Sequence, residues 1–130
     1  MKTAELTGAM LDYWVARAEE HELLRHNPVL APGGVYAEWF DKNDNTDRSI
    51  LWRPSDDWSQ GGPIIEREKM HGGPAGTLDG VTTWFYQCYR KGANGEHIPY
   101  PCGGSGQTPL IAAMRAYVAS KFGEEVPDAI

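Results

Sequence analysis

The chain has 130 residues, with 12 Lys and Arg against 18 Asp and Glu, for a net charge of −6. Its length suits one domain spanning 1–130 that buries about two-thirds of the surface an unfolded chain of this size exposes. With 41% hydrophobic and 23% charged residues, the composition is that of a globular protein rather than a disordered or fibrous one. The acid excess argues against nonspecific nucleic-acid binding, which needs a stripe of Lys and Arg to displace counterions. The first residues lack the apolar core of a secretory signal, and no apolar run approaches the roughly 18 residues of a membrane span. An intracellular protein without membrane contact is therefore expected. In that setting Cys88 and Cys102 are expected as reduced thiols, unless the segments holding them lie side by side.

Taken in chain order, the first element is a helix. Thr7 is the natural N-cap, and Met10, Leu11, Trp14, Val15 and Ala18 recur at helical spacing, with Asp12, Arg17 and Glu19 on the other side. A strand is expected from Val35 to Phe40, with Ser49–Trp52 as its hairpin partner across the polar run Asp41 to Asp47. The clearest strand runs from Val81 to Tyr89. It carries aromatics on both faces and so belongs inside a sheet. Short extended pieces at Lys2–Glu5, Ile64–Glu66 and His97–Tyr100 complete the set. Glycine and proline cluster at 31–34, 61–63, 72–76 and 101–106, which predicts long loops there. The last helix is the best marked: Thr108 caps it, Pro109 opens it, Leu110, Ile111, Met114, Tyr117, Val118 and Phe122 make its apolar stripe, and Gly123 stops it. Beyond it, 124–130 reads as an extended or frayed tail. The expected class is α+β: a small, mostly antiparallel sheet with an N-terminal and a C-terminal helix packed on one face.

Few residue sets carry recognisable chemistry. Asp41, Asn43, Asn45 and Asp47 have the alternation of a calcium loop, but Thr46 replaces its turn glycine and Trp52 its closing glutamate, so a solvated hairpin loop is the better account. His21 and His26 stand about 140° apart on a helix and cannot share a metal. Gly103-Gly104-Ser105-Gly106 is followed by Gln107 where a nucleophile elbow needs its last glycine. No metal set, cofactor motif or catalytic residue emerges.

Two stretches remain as binding candidates. Trp58 beside Gly61, Gly62 and Pro63 offers an aromatic platform next to approachable backbone, with Gln60 and Arg67 for polar contacts. It can equally plug the end of the core. Gly106, Gln107 and Thr108 run into a helix start whose amides suit an anion, or they simply cap that helix.

The blocks Lys2–Ala9, Trp58-Ser59-Gln60-Gly61-Gly62-Pro63 with its continuation Ile64–Glu68, and Thr108–Gly123 occur in this order, and together they resemble the NinX-like family of bacteriophage and prophage proteins. Segments 19–54 and 69–104 resemble it less and read as variable or inserted. The resemblance implies a phage or prophage origin, a bacterial host cytoplasm and no assigned enzymatic activity, and it transfers no catalytic residue.

The expected function is a non-catalytic binding module without metal or cofactor. In it, Trp58, Gln60, Gly61, Gly62, Pro63 and Arg67 meet Gly106, Gln107 and Thr108 around a small anionic or nucleotide-like ligand. The alternative is an interaction module, either a homo-oligomer or an inhibitor of a host protein.

Overall fold

The C-terminal helix forms as its capping residues dictate. In the computed structural model, which describes residues 1–23, 27–41, 43–91 and 97–127, α3 spans Pro109–Phe122, the Thr108 hydroxyl accepts from the Ile111 amide at 3.1 Å, and Gly123 donates back to the Ala119 carbonyl at 2.9 Å. Gly123 adopts φ +86°, where a side chain would be strained. The N-terminal helix, α1, spans Gly8–Leu23, and the Thr7 carbonyl accepts its first bond from Leu11.

Between these helices lie six strands: β1 (Asn27–Ala31), β2 (Gly34–Asp41), β3 (Thr46–Trp52), β4 (His71–Leu78), β5 (Val81–Lys91) and β6 (His97–Gly106). They form two antiparallel three-stranded sheets, β1-β2-β3 and β4-β5-β6. The α+β class stands, but the strands divide between two sheets, and each long helix covers its own: α1 packs on β1 and β2, α3 on β5 and β6, and the helices touch each other. The hairpin of Val35–Phe40 with Ser49–Trp52 forms as expected, pairing Val35 with Trp52 and Ala37 with Ile50. Its turn is held by Asp44, whose carboxylate accepts from the Thr46 hydroxyl and the Arg48 guanidinium. As expected, β5 is central in its sheet.

One buried cluster joins Leu6, Leu11, Trp14 and Val15 to Val35, Ala37 and Trp52 of the first sheet, Cys88 of the second, and Met114, Tyr117 and Val118 of α3. The β5–β6 register sets Cys88 opposite Cys102, so the segments holding them do adjoin. The Cys88 thiol lies 3.5 Å from the Ser120 hydroxyl, whereas the Cys102 side chain falls outside the described residues.

Several expectations need correction. The glycine-rich stretches 72–76 and 101–106 are strands, not loops. Their composition reflects close packing: a Cβ on Gly104 would sit 2.4 Å from the Ala112 carbonyl oxygen and the Ala116 nitrogen, so the missing side chain lets α3 lie directly on β6. Asp79-Gly80, at φ +52° and +79°, makes the two-residue turn from β4 to β5.

The segment read as a Trp58–Pro63 loop and an Ile64–Glu66 strand is a helix, α2, spanning Trp58–Arg67. Two glycines and a proline cost such a helix about 1 kcal/mol each and about 3 kcal/mol respectively. Its ends and its packing offset this. Asp57 caps the start, accepting from the Ser59 amide at 2.9 Å. At the other end Lys69, at φ +53°, directs the Met70 amide back to Ile65 at 3.0 Å and its own to Glu66 at 3.2 Å, the paired bonds of a Schellman stop. Gly61 is required by contact, since a Cβ there would approach the Pro54 carbonyl oxygen to 2.4 Å.

Nor is Lys2–Glu5 a strand. Lys2 forms a single bridge to Glu125, and Thr3–Glu5 is one 3-10 turn. As far as Pro127 the tail is described, and it is held through Val126, whose amide donates to the Met1 carbonyl at 2.9 Å and whose side chain is buried. Asp128 and His26, and the side chains of His21 and His97, lie outside the described residues.

Candidate functional site

Two clefts meet along a ridge formed by Gly8, Ser55 and Asp56. The first, about 350 Å³, is walled on one side by Trp58 and on the other by Thr108, Pro109, Leu110 and Ile111. Trp58 is the first residue of α2, and 56% of it is exposed. Asp57 fixes that turn by accepting from both the Ser59 amide and the Ser59 hydroxyl, at 2.9 and 2.6 Å, and these bonds hold its carboxyl below the usual range. An indole is thus presented to solvent on a rigid helix start.

Trp58 and Thr108, expected to converge from distant parts of the chain, do line the same cleft. The other expected residues stand elsewhere. Gly62 is behind the indole, Pro63 is exposed on α2, and Gly61 is packed against Pro54 and Leu110. Gln60 is a structural tie, accepting from the Arg53 amide at 2.6 Å and donating to the Leu51 carbonyl at 2.8 Å. Gly106 lies under Ile111, where a Cβ would come within 2.6 Å of Cγ2, and Gln107 is exposed without lining the cleft.

The start of α3 offers an anion little. Pro109 has no N–H, and the Ile111 and Ala112 amides are bonded to Thr108. Of that first turn only the Leu110 amide is left over, and Asp56 on the ridge adds negative charge.

Arg67 serves the opposite end of α2. Its guanidinium donates to Glu19 at 2.5 and 3.2 Å, to Glu68 at 2.9 Å and to the Tyr117 hydroxyl at 3.0 Å, and Tyr117 donates to Glu19 at 2.9 Å. Burial alone lowers the Arg67 pKa, but the bonds to Glu19 and Glu68 hold it above its ordinary value; burial and Glu19 raise that of Tyr117. Glu19, Glu68 and Tyr117 are almost wholly buried. This cluster joins α1, α2 and α3, and it gives Arg67 a structural role.

The second cleft, about 430 Å³, lies between α1, the β1–β2 turn and the segment after β3. Its wall contains Asp12, only 5% exposed, whose carboxylate accepts from the Ser55 amide at 2.9 Å. Burial pushes the Asp12 pKa up to about 6, against the lowering effect of the Ser55 bonds. Asp12 and Glu19 were both expected on the solvent side of α1. Both are inside, because partners far along the chain, Ser55 and Arg67, meet them there. A single sequence offers no sign of either pairing beyond the spacing of Asp12 and Glu19 by two helical turns.

Residues 2–121 match the family described as Bacteriophage P22, NinX. The chain belongs to that family. The matched span takes in the first two of the three blocks that carried the resemblance, the third as far as Lys121, and the segments between them. Within this NinX-family chain both clefts fall inside the matched span. No curated protein matches the chain. Among the described residues no group of three or more His, Cys, Asp or Glu is placed to hold a metal, and no helix is long and apolar enough to cross a membrane.

Proposed function

We propose that this phage-encoded protein is a non-catalytic binding module acting in the bacterial host cytoplasm, and that its ligand seat is the cleft between Trp58 and the start of α3. The observation that carries the reading is the indole: a tryptophan more than half exposed, held on a capped helix start, forming one wall of a cleft of about 350 Å³. A ring stacks on such a face, and the Leu110 amide, the Thr108 hydroxyl and Asp56 give its edge donors and acceptors.

The nucleotide-like ligand therefore narrows to its base. With the Ile111 and Ala112 amides occupied by Thr108 and a carboxylate on the ridge, a nucleoside fits better than its phosphate. Titration of the four ribonucleosides and their monophosphates, followed by Trp fluorescence and amide chemical shifts, tests this. Shifts confined to Ser55, Trp58 and 108–111, lost in Trp58→Ala, support the reading; no response to any nucleoside at millimolar concentration overturns it.

A second reading has its own observation. On the β4–β5 hairpin, Leu78 is 77%, Val81 52% and Phe85 38% exposed, an apolar surface suited to a protein partner or a second copy. Sedimentation velocity across a concentration series tests self-association. A monomer throughout removes the homo-oligomer and leaves the host-protein version to capture experiments with Leu78→Ser.

A further inference from the structure

The second cleft has a chemistry that the first lacks. Asp12 projects from α1 into its wall and is 95% buried, yet the described residues bring it no countercharge in ion-pair contact. Its polar partner is Ser55, which accounts for part of what a carboxylate can accept. The charged groups facing Asp12 both come from the segment after β3: Asp56, and Arg53, whose guanidinium lies 3.9 Å from Asp56 with its side chain 53% exposed. The β1–β2 turn contributes only Ala31, Gly33 and Gly34, which carry no charge and leave room. Arg53 thus offsets Asp56, and the cleft keeps one buried negative charge unmatched.

Buried carboxylates elsewhere in this protein are treated differently, since Glu19 and Glu68 share Arg67. A buried acid without a cation is costly as an anion and marks a site that an external cation completes. Trp52 in the same wall is only 8% exposed and belongs to the buried cluster, so it closes the wall and leaves recognition to Asp12.

We infer that the cleft between α1, the β1–β2 turn and Ser55 is a recognition site for a guanidinium group, with Asp12 as its anchor. The group comes either from a free guanidino compound or from an arginine of a peptide partner. The site stands on Asp12 and does not require the Trp58 cleft to be occupied.

The test uses the full chain, ¹⁵N-labelled, titrated with methylguanidine, its uncharged analogue methylurea, and acetyl-Gly-Arg-Gly-amide. Methylguanidine is expected to shift the amides of Gly33, Gly34 and Ser55 at pH 7.5 and to bind at least about tenfold more tightly than methylurea. Because Asp12 must be ionised to attract it, affinity falls about tenfold between pH 7.5 and pH 5. Asp12→Asn keeps an oxygen for the Ser55 amide and so preserves the fold, but loses both the affinity and its pH dependence, whereas Trp58→Ala retains both. Tighter binding of the peptide than of methylguanidine assigns the site to a protein partner, and equal binding assigns it to a small molecule. Equal affinity for methylguanidine and methylurea, or no pH dependence in the wild type, overturns the inference without reference to any variant. Unchanged binding in Asp12→Asn overturns it as well.

Discussion

Glu19 and Asp12 sit two turns apart on one face of α1, and both are buried, yet the protein handles them in opposite ways. At Glu19 the surroundings are closed: Arg67 from α2 and Tyr117 from α3 saturate the carboxylate, and the whole set welds three helices together. Around Asp12 they are open, with the bonds from Ser55, a cleft, and no cation in contact among the described residues. Burial alone therefore does not separate a structural acid from a functional one. What separates them is whether the fold itself brings the countercharge.

The contrast can be broken at its strongest point first. Arg67→Ala leaves Glu19 and Glu68 buried without their cation, and is expected to destabilise the protein by about 3–5 kcal/mol, measured by urea unfolding at pH 7. A loss below 1 kcal/mol would mean that the three-helix cluster is not the structural half of the comparison.

Asp12 should behave in the reverse sense. Its folded pKa of about 6 lies above its ordinary value of 3.8, so the folded state holds the proton more tightly. The stability it contributes is present below pH 4 and is lost as pH rises to 6. Asp12→Asn is thus expected to be more stable than the wild type at pH 7, by about 2–3 kcal/mol, and equal to it near pH 4. Unfolding curves at the two pH values check this, and a pH-independent difference would remove Asp12 from the comparison.

Lys69→Gly sharpens the picture of α2. Relieving a left-handed lysine at its C-terminal stop should add about 1 kcal/mol, read as a rise in Tm. Smallest of all is Trp58→Ala. An exposed indole outside the core should change stability by within about 0.5 kcal/mol, while the nucleoside response is abolished.

How much of this was legible in the sequence depends on how local each cause is. Thr108, Pro109 and Gly123 mark α3 because caps act within a few residues of themselves. The β2–β3 hairpin and central β5 follow from alternation and aromatic content in the same way. Strand β6 was foreseen only in its first part, His97–Tyr100; the rest was hidden, because Gly104 reports the nearness of a helix that comes later in the chain. So was α2, whose Gly61-Gly62-Pro63 reads as a turn until Pro54, Leu110 and the Arg67 cluster are brought against it. The convergence of Trp58 with Thr108 was anticipated from composition. The Asp12 cleft was not, since an aspartate on a helix carries no local sign of the serine that will cover it.

The make-up of α2 has a practical consequence. A segment so poor in helix-forming residues cannot hold its shape in a peptide, and the two residues at its ends face different tasks: Arg67 clasps the neighbouring helices, while Trp58 is held out to solvent. The indole is therefore presented only after both ends of the polypeptide have come together. Proteolytic fragments or display libraries that stop short of α3 will contain Trp58 and still fail to exhibit its cleft, so screens for its ligand should be run on the intact chain.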